Sequence, residues 1–150
     1  MISVVTRLWE YFPIPEPHVI GLLLGGVLNR YRPRKLTSYG TYARAGGWIL
    51  LGIGLSLIGW ALVSVSGNLD QSDRNLITTG PYTSSRHPMY VGWTVLYLGV
   101  TLLQNNRWAA LLLPAVVLHT DIIVHREERL LESEFGDTYR EYCRTNRKYL

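Results

Sequence analysis

Two short clusters in this chain of 150 residues carry the side chains best suited to chemistry. The first is Arg86, His87, Pro88, Met89 and Tyr90. Proline at a first helical position has φ pre-set for a helix and no amide proton to leave unpaired, so a helix is predicted to begin at Pro88. Its free backbone donors would stand beside Arg86 and His87, which suits an anionic group such as a carboxylate. His87 and Tyr90 serve equally as interfacial anchors if that helix enters a membrane. The second cluster is Arg126, Glu127 and Glu128, just after an apolar run that ends at Val124. Adjacent carboxylates at the edge of hydrocarbon are costly unless they meet water or a cation. A sulfonium compound bearing an amino group would supply that cation, and a solvated first turn of a tail helix accounts for the same residues. His119 and Asp121, within the apolar run, either face a polar cavity or pair with neighbours.

The elements that must hold these clusters are written in the hydropathy. A hydrophobic content of 47% fits soluble and membrane proteins alike, so the distribution decides. Residues 45–66 (AGGWILLGIGLSLIGWALVSVS) carry no charge and, at about 1.5 Å per residue, are long enough for a hydrocarbon core of about 30 Å. A second uncharged run covers residues 88–106, and a third, residues 108–120, continues through Asp121 to Val124. Only Gln104, Asn105 and Asn106 lead into Arg107 between them, so an antiparallel hairpin is predicted, with Pro114 tolerated inside its second arm. None of these runs shows the charged face of a soluble bundle helix. Residues 18–28 are apolar but shorter than the roughly 17 needed to cross, hence a stubby or tilted span. Residues 1–17 lack the basic start and cleavage site of a signal peptide and are expected to be retained at the interface.

Leu131, Phe135, Tyr139 and Tyr142 recur at helical spacing while Arg129, Glu132, Arg140 and Arg144 face away, the pattern of a helix lying on a surface. The expected architecture is therefore all-α, a polytopic membrane protein of three to four transmembrane helices including a hairpin, plus an amphipathic C-terminal helix. It forms a single domain over 1–150 with a catalytic core at about 45–150. The net charge of +4 and pI near 9.4 come from basic residues at span edges, which favours lipid headgroups over nucleic acid as partners. A single Cys143 allows no internal disulfide, and no metal site is expected. The polar connection 67–86 exceeds the length at which loops are usually mere connectors, about 12 to 15 residues.

LITTGPYTSSRHPMYVGW, then a hydrophobic hairpin, then REERLLESEFGDTYREYCRTNR: in this order the pieces resemble the isoprenylcysteine carboxyl methyltransferase family and its phospholipid methyltransferase relatives, over residues 45–147. The double motif is specific where either half alone is weak. The resemblance implies S-adenosylmethionine-dependent methyl transfer to a lipophilic acceptor, a carboxylate, amine or thiol of a lipid or small molecule, at a site facing the cytoplasm. It implies a cofactor pocket built from the loop, the start of the next span and the tail, with the acceptor arriving from the bilayer. By motif, cofactor contacts fall on Arg74, Asn75, Leu76, Ile77, Tyr82, His87, Pro88, Met89, Tyr90 and Glu127; the phospholipid relatives add Gly52, Gly54 and Glu128. The family's substrate-side arginine, one turn before the glutamates, is Ile123 here, with Arg126 the nearest substitute for a catalytic role. That departure argues against assuming a prenylcysteine substrate.

Methyl transfer from a sulfonium is an in-line displacement, so the protein's task is positioning and exclusion of water, with a base needed only for an acceptor that must lose a proton. Two other readings compete. Sterol-type membrane reductases share the Gly-x-Tyr, Arg-His-Pro-x-Tyr pattern and use NADPH, although they are generally longer, and a membrane scaffold could keep the motifs as packing. Topology adds a tension: a crossing by the first segment leaves Arg30, Arg32, Arg34, Lys35 and Arg44 outside if the clusters face the cytoplasm, against the positive-inside rule.

Overall fold

A computed structural model describes residues 15–38, 40–66 and 76–149. Arg74 and Asn75, two of the expected cofactor contacts, lie outside the described residues. The order of elements is α1 (Glu16–Tyr31), α2 (Gly40–Ser66), a 3-10 turn (Gly80–Thr83), α3 (Pro88–Leu103), α4 (Arg107–Phe135) and α5 (Asp137–Thr145). Among the described residues every helix and turn is of this kind, and the only β-pairings are isolated bridges.

The all-α membrane architecture holds. Helices α2 and α4 have the length and apolarity to cross a bilayer, and only 22% of the most apolar window of each is buried. A soluble core helix would bury most of such a window. Here Trp48, Ile53 and Val63 on α2 and Leu111, Leu118 and Ile122 on α4 point outward, and an apolar surface of that extent belongs against hydrocarbon. Helix α3 is apolar and shorter. Helix α1 is longer than its apolar stretch predicts: Pro17 sits at its first positions, and polar Asn29 and Arg30 continue the helix to Tyr31.

The predicted hairpin is present, and one expectation needs correction. The α3–α4 connection is the tight turn foreseen, with Asn106 capping α4 by accepting from the amides of Trp108 (3.0 Å) and Ala109 (3.3 Å). Yet the two arms are not each other's main neighbours: α3 lies along α2, and α4 lies along α1. The reason is glycine. A Cβ on Gly54 would stand 2.8 Å from the Gly92 carbonyl, and one on Gly99 would stand 2.8 Å from the Leu51 amide nitrogen, so α2 and α3 meet backbone to backbone. Gly25 lets α1 approach Ala109 of α4 in the same way, with a Cβ there 2.8 Å from the Ala109 Cα.

The correction concerns the tail. Helix α4 does not stop at the membrane edge; it runs through Arg126, Glu127 and Glu128 to Phe135 and breaks at Gly136, whose φ of 54° is left-handed. No Gly or Pro lies between Val124 and Phe135, so nothing stops the helix earlier. The acidic doublet therefore sits within a continuous helix, not in the first turn of a separate one, and only Asp137–Thr145 forms the amphipathic terminal helix.

The end of α1, the start of α2 and the α3–α4 turn meet at one end of the bundle. There the Leu36 amide donates to the Asn105 carbonyl (3.2 Å), and the Arg107 amide to that of Arg34 (3.1 Å). Arg30, Arg32, Arg34, Lys35 and Arg44 gather at this end, and both candidate clusters lie at the other.

Candidate functional site

The segment preceding α3 is held from three sides. Gly80, at φ 63°, packs against Ser64 at the end of α2, where a side chain would collide with it. Tyr142 of α5 donates its hydroxyl to the Tyr82 carbonyl at 2.7 Å. The chain end returns alongside: the Arg86 amide donates to the Arg147 carbonyl at 2.9 Å, and the Ser85 hydroxyl to the Lys148 carbonyl at 3.4 Å. His87 occupies the N-cap position of α3, with its amide on the Ser85 hydroxyl at 3.2 Å, and Pro88 starts the helix as expected.

This brings the two sequence clusters together. Glu128 Oε1 lies 3.0 Å from Arg86 Nη2 and 3.2 Å from His87 Nε2, while His87 Nδ1 stands 4.0 Å from Glu127 Oε2. His87 is only 4% exposed. Burial holds its imidazole below the ordinary histidine value even though the bond to Glu128 pulls the other way. A neutral ring that donates from Nε2 to Glu128 turns its Nδ1 lone pair toward Glu127. Burial, then the charge of Glu127, also raises the Tyr82 phenol, and burial pushes Tyr142 up to about 12.

These groups border a pocket of about 90 Å³. Its polar wall is Tyr82, Arg86, His87 and Glu127, and its apolar wall includes Leu76, Ile77, Leu131 and Phe135. Three side-chain atoms of residues that line it are enclosed without a hydrogen-bond partner, Glu127 Oε2, Arg86 Nε and the Tyr139 hydroxyl oxygen. The Glu127 side chain is 41% exposed, but that exposure belongs to its other atoms. An enclosed acceptor beside an enclosed donor is costly alone and complementary to a group carrying both an ammonium and a carboxylate. The volume, well below the roughly 300 to 1,000 Å³ of small-molecule sites, suits the amino-acid end of a cofactor.

A second cavity, of about 220 Å³, opens sideways between α3 and α4. Tyr90, Val91, Thr94 and Val95 line it from α3, Val117 and Thr120 from α4, and Tyr149 from the chain end. Tyr90, whose ring centroid is 6.0 Å from that of His87, lines this cavity on the side of the first.

Leu76, Ile77, Tyr82, His87 and Glu127 thus share one pocket, with Tyr90 lining the neighbouring cavity and Glu128 bonded to both Arg86 and His87. The other expected contacts lie elsewhere. Met89 packs in a core cluster with Ile58 and Ala61, and Pro88 is buried at the helix start. Gly54 serves the contact between α2 and α3, and Gly52 faces outward with nothing within 4 Å of where a Cβ would be. Arg126 is exposed and borders neither cavity. Sequence reasoning missed the chain end: Asp121 receives Lys148 Nζ at 2.6 Å and the Tyr149 hydroxyl at 2.7 Å. The only signal for it was an acidic residue inside an apolar span, which requires a partner. Among the described residues no group of three His, Cys, Asp or Glu is placed to hold a metal ion.

The chain is similar in sequence to known proteins. The chain is 32% identical over 98 residues to the cobalt-zinc-cadmium resistance protein CzcN of Cupriavidus metallidurans, covering 63% of this chain and 44% of that protein. It is 38% identical over 71 residues to the protein-S-isoprenylcysteine O-methyltransferase of Schizosaccharomyces pombe, covering 47% and 30%, and 36% identical over 75 residues to the enzyme of that name from Tribolium castaneum, covering 47% and 26%. The matches span less than half the length of these curated relatives. The profile of the phospholipid methyltransferase family matches residues 40–138, from the start of α2 into α5. With that match over most of its length, the chain belongs to the phospholipid methyltransferase family.

Proposed function

We propose that the protein transfers methyl groups from S-adenosylmethionine to a lipophilic acceptor at the membrane interface, with the pocket between the 3-10 turn, α3 and α4 as the cofactor site. The observation that carries this reading is the pairing of an enclosed, unpartnered carboxylate oxygen on Glu127 with an enclosed, unpartnered guanidinium nitrogen on Arg86. Glu127, aided by the His87 Nδ1 lone pair, would hold the ammonium of the amino-acid end, and Arg86 its carboxylate. Glu128 holds Arg86 and His87 in place from behind. The bound cofactor would supply an electrophilic methyl group on a sulfonium. The chain's own part is then to orient it, shield it from water and present the acceptor on the far side of Tyr90.

The site end carries Arg86, Arg126, Arg129, Arg140, Arg144, Arg147 and Lys148, and the opposite end Arg30, Arg32, Arg34, Lys35, Arg44 and Arg107. Among the described residues basic charge is so nearly matched that the positive-inside rule selects neither orientation from them. We place the site on the cytoplasmic side of a multi-pass protein, where the cofactor is made. Titration of the purified chain with S-adenosylmethionine, S-adenosylhomocysteine and NADPH tests the reading. Binding of the first two and not the third is expected; selective NADPH binding would move the chain to the reductases, and no binding to a scaffold.

A further inference from the structure

Asp121 is an acid within an apolar span, and the groups that answer it come from far along the sequence. Its Oδ1 receives Lys148 Nζ at 2.6 Å and the Tyr149 hydroxyl at 2.7 Å, and Lys148 Nζ also lies 3.1 Å from His125 Nδ1. The side chains of Lys148 and Tyr149 thus hang on one turn of α4, Asp121 to His125. The backbone of the same segment does something else. Arg147 pairs in parallel with Ser85; its carbonyl accepts from the Arg86 amide at 2.9 Å, and the Lys148 carbonyl from the Ser85 hydroxyl at 3.4 Å. The Tyr149 ring stands 6.3 Å from the His87 ring, centroid to centroid. Helix α4 therefore grips residues 85–87 twice. Glu128 takes the Arg86 guanidinium at 3.0 Å and His87 Nε2 at 3.2 Å directly. Asp121, seven residues earlier and so about 10 Å back along the same face, takes their backbone and ring face through residues 147–149.

We propose that Asp121 is a positioning residue of the cofactor pocket: through Lys148 and Tyr149 it holds residues 147–149 against residues 85–87, and so fixes Arg86 and His87 where they receive the amino-acid end of the cofactor. The proposal rests on the S-adenosylmethionine reading of that pocket and adds to it a residue that touches no ligand. Arg86 lies between the 3-10 turn and α3, outside any helix, so no helical ladder fixes its backbone. The Arg147 carbonyl does that instead. An acid and an ammonium near hydrocarbon are each costly alone and each other's best partner, which keeps residues 147–149 from sliding. Asp121 and Lys148 side chains are 38% and 21% exposed, so without the pair both charges turn to water and the segment is released. A guanidinium that must meet a carboxylate while Glu127 meets the ammonium tolerates little displacement. Lys148 and Tyr149 lie beyond residues 40–138, which the family profile matches, so the anchor joins one residue inside that span to two outside it.

The test uses the full chain in phosphatidylcholine nanodiscs and three conservative variants. Asp121→Asn keeps an acceptor for Tyr149 and removes the charge facing Lys148; Lys148→Met removes the cation, and Lys148→Arg keeps it. Two quantities are measured: S-adenosylhomocysteine affinity by calorimetry, and hydrogen exchange of the Arg86 and His87 amides without ligand. Asp121→Asn and Lys148→Met should each weaken the ligand about 3- to 10-fold and speed that exchange by about the same factor. The double variant should lose no more than either single one, because both act through one contact, and Lys148→Arg should match the parent chain. The Leu36 and Arg107 amides, at the other end of the bundle, should exchange at parent rates, which a general loss of stability would not allow. Unchanged exchange at Arg86, equal acceleration at both ends, additive losses in the double variant, or a Lys148→Arg as weak as Lys148→Met overturns the proposal. So does faster exchange at Arg86 with ligand affinity unchanged. Faster exchange confined to Arg86 and His87 in a chain whose parent form binds no S-adenosylhomocysteine supports the anchor and sinks the methyltransferase reading instead.

Discussion

Replacing Glu127 by Gln should weaken cofactor binding while leaving the fold intact, and the size of the loss follows from the surroundings of one atom. Oε2 is enclosed and has no partner of its own. What the substitution removes is the charge that an incoming ammonium would meet. A hydrogen bond to a charged group contributes about 1.5 to 3 kcal/mol. Because the side chain is 41% exposed, solvent screening places the loss toward the lower end, about 1.5 to 2 kcal/mol, or roughly 10- to 30-fold in Kd. Calorimetric titration with both S-adenosylmethionine and S-adenosylhomocysteine makes the measurement specific. The two share the amino-acid end and differ in sulfonium charge, so equal losses assign Glu127 to the ammonium, and a loss confined to the first would move it to the sulfonium. An unchanged melting temperature shows that the fold survived. Affinities within twofold of the parent chain for both ligands would remove Glu127 from the site and with it the central argument.

Glu128→Ala should act differently, leaving Arg86 and His87 without their shared acceptor and destabilising the folded chain by about 2 to 3 kcal/mol; thermal unfolding reads this before any ligand is added. Gly54→Ala should cost about 1 to 3 kcal/mol because its Cβ meets the Gly92 carbonyl, whereas Gly52→Ala, opening onto free space, should leave both melting temperature and cofactor affinity unchanged. Tyr142→Phe removes the donor to the Tyr82 carbonyl and should lower stability by about 1 kcal/mol, with a parallel loss of cofactor affinity as the 3-10 turn loosens. The buried His87 gives a pH dependence of definite sign. Its folded-state pKa is depressed, so its contribution is full above the unfolded value of about 6.5 and is lost as pH falls below it, when the unfolded chain takes up a proton that the folded site resists. Melting temperature measured from pH 8 to 5.5 should fall at the acid end, and His87→Gln should flatten that part of the curve.

The sequence by itself determined the helical character, the apolar spans and both reactive clusters, because these depend on local quantities: hydropathy over a run of residues, proline at a helix start, adjacent charges. Pro88 begins α3 where its ring geometry requires, and the uncharged 45–66 run lies within α2. The polar side of the pocket was legible too, since Tyr82, His87 and Glu127 sit in motifs whose order along the chain reflects their meeting in space. Tertiary structure alone decided the rest. Which helix lies beside which depends on where glycines of different helices coincide, and residue spacing within one helix cannot reveal that for Gly54 and Gly92. Local pattern likewise gave the Gly52-x-Gly54 pair no means of showing that one glycine packs and the other faces outward. The chain end was hidden because Lys148 and Tyr149 resemble any polar terminus until Asp121, distant in sequence, is brought within 2.7 Å of the Tyr149 hydroxyl. Ion pairs and hydrogen bonds act over a few ångströms of space, and only the folded chain sets those distances.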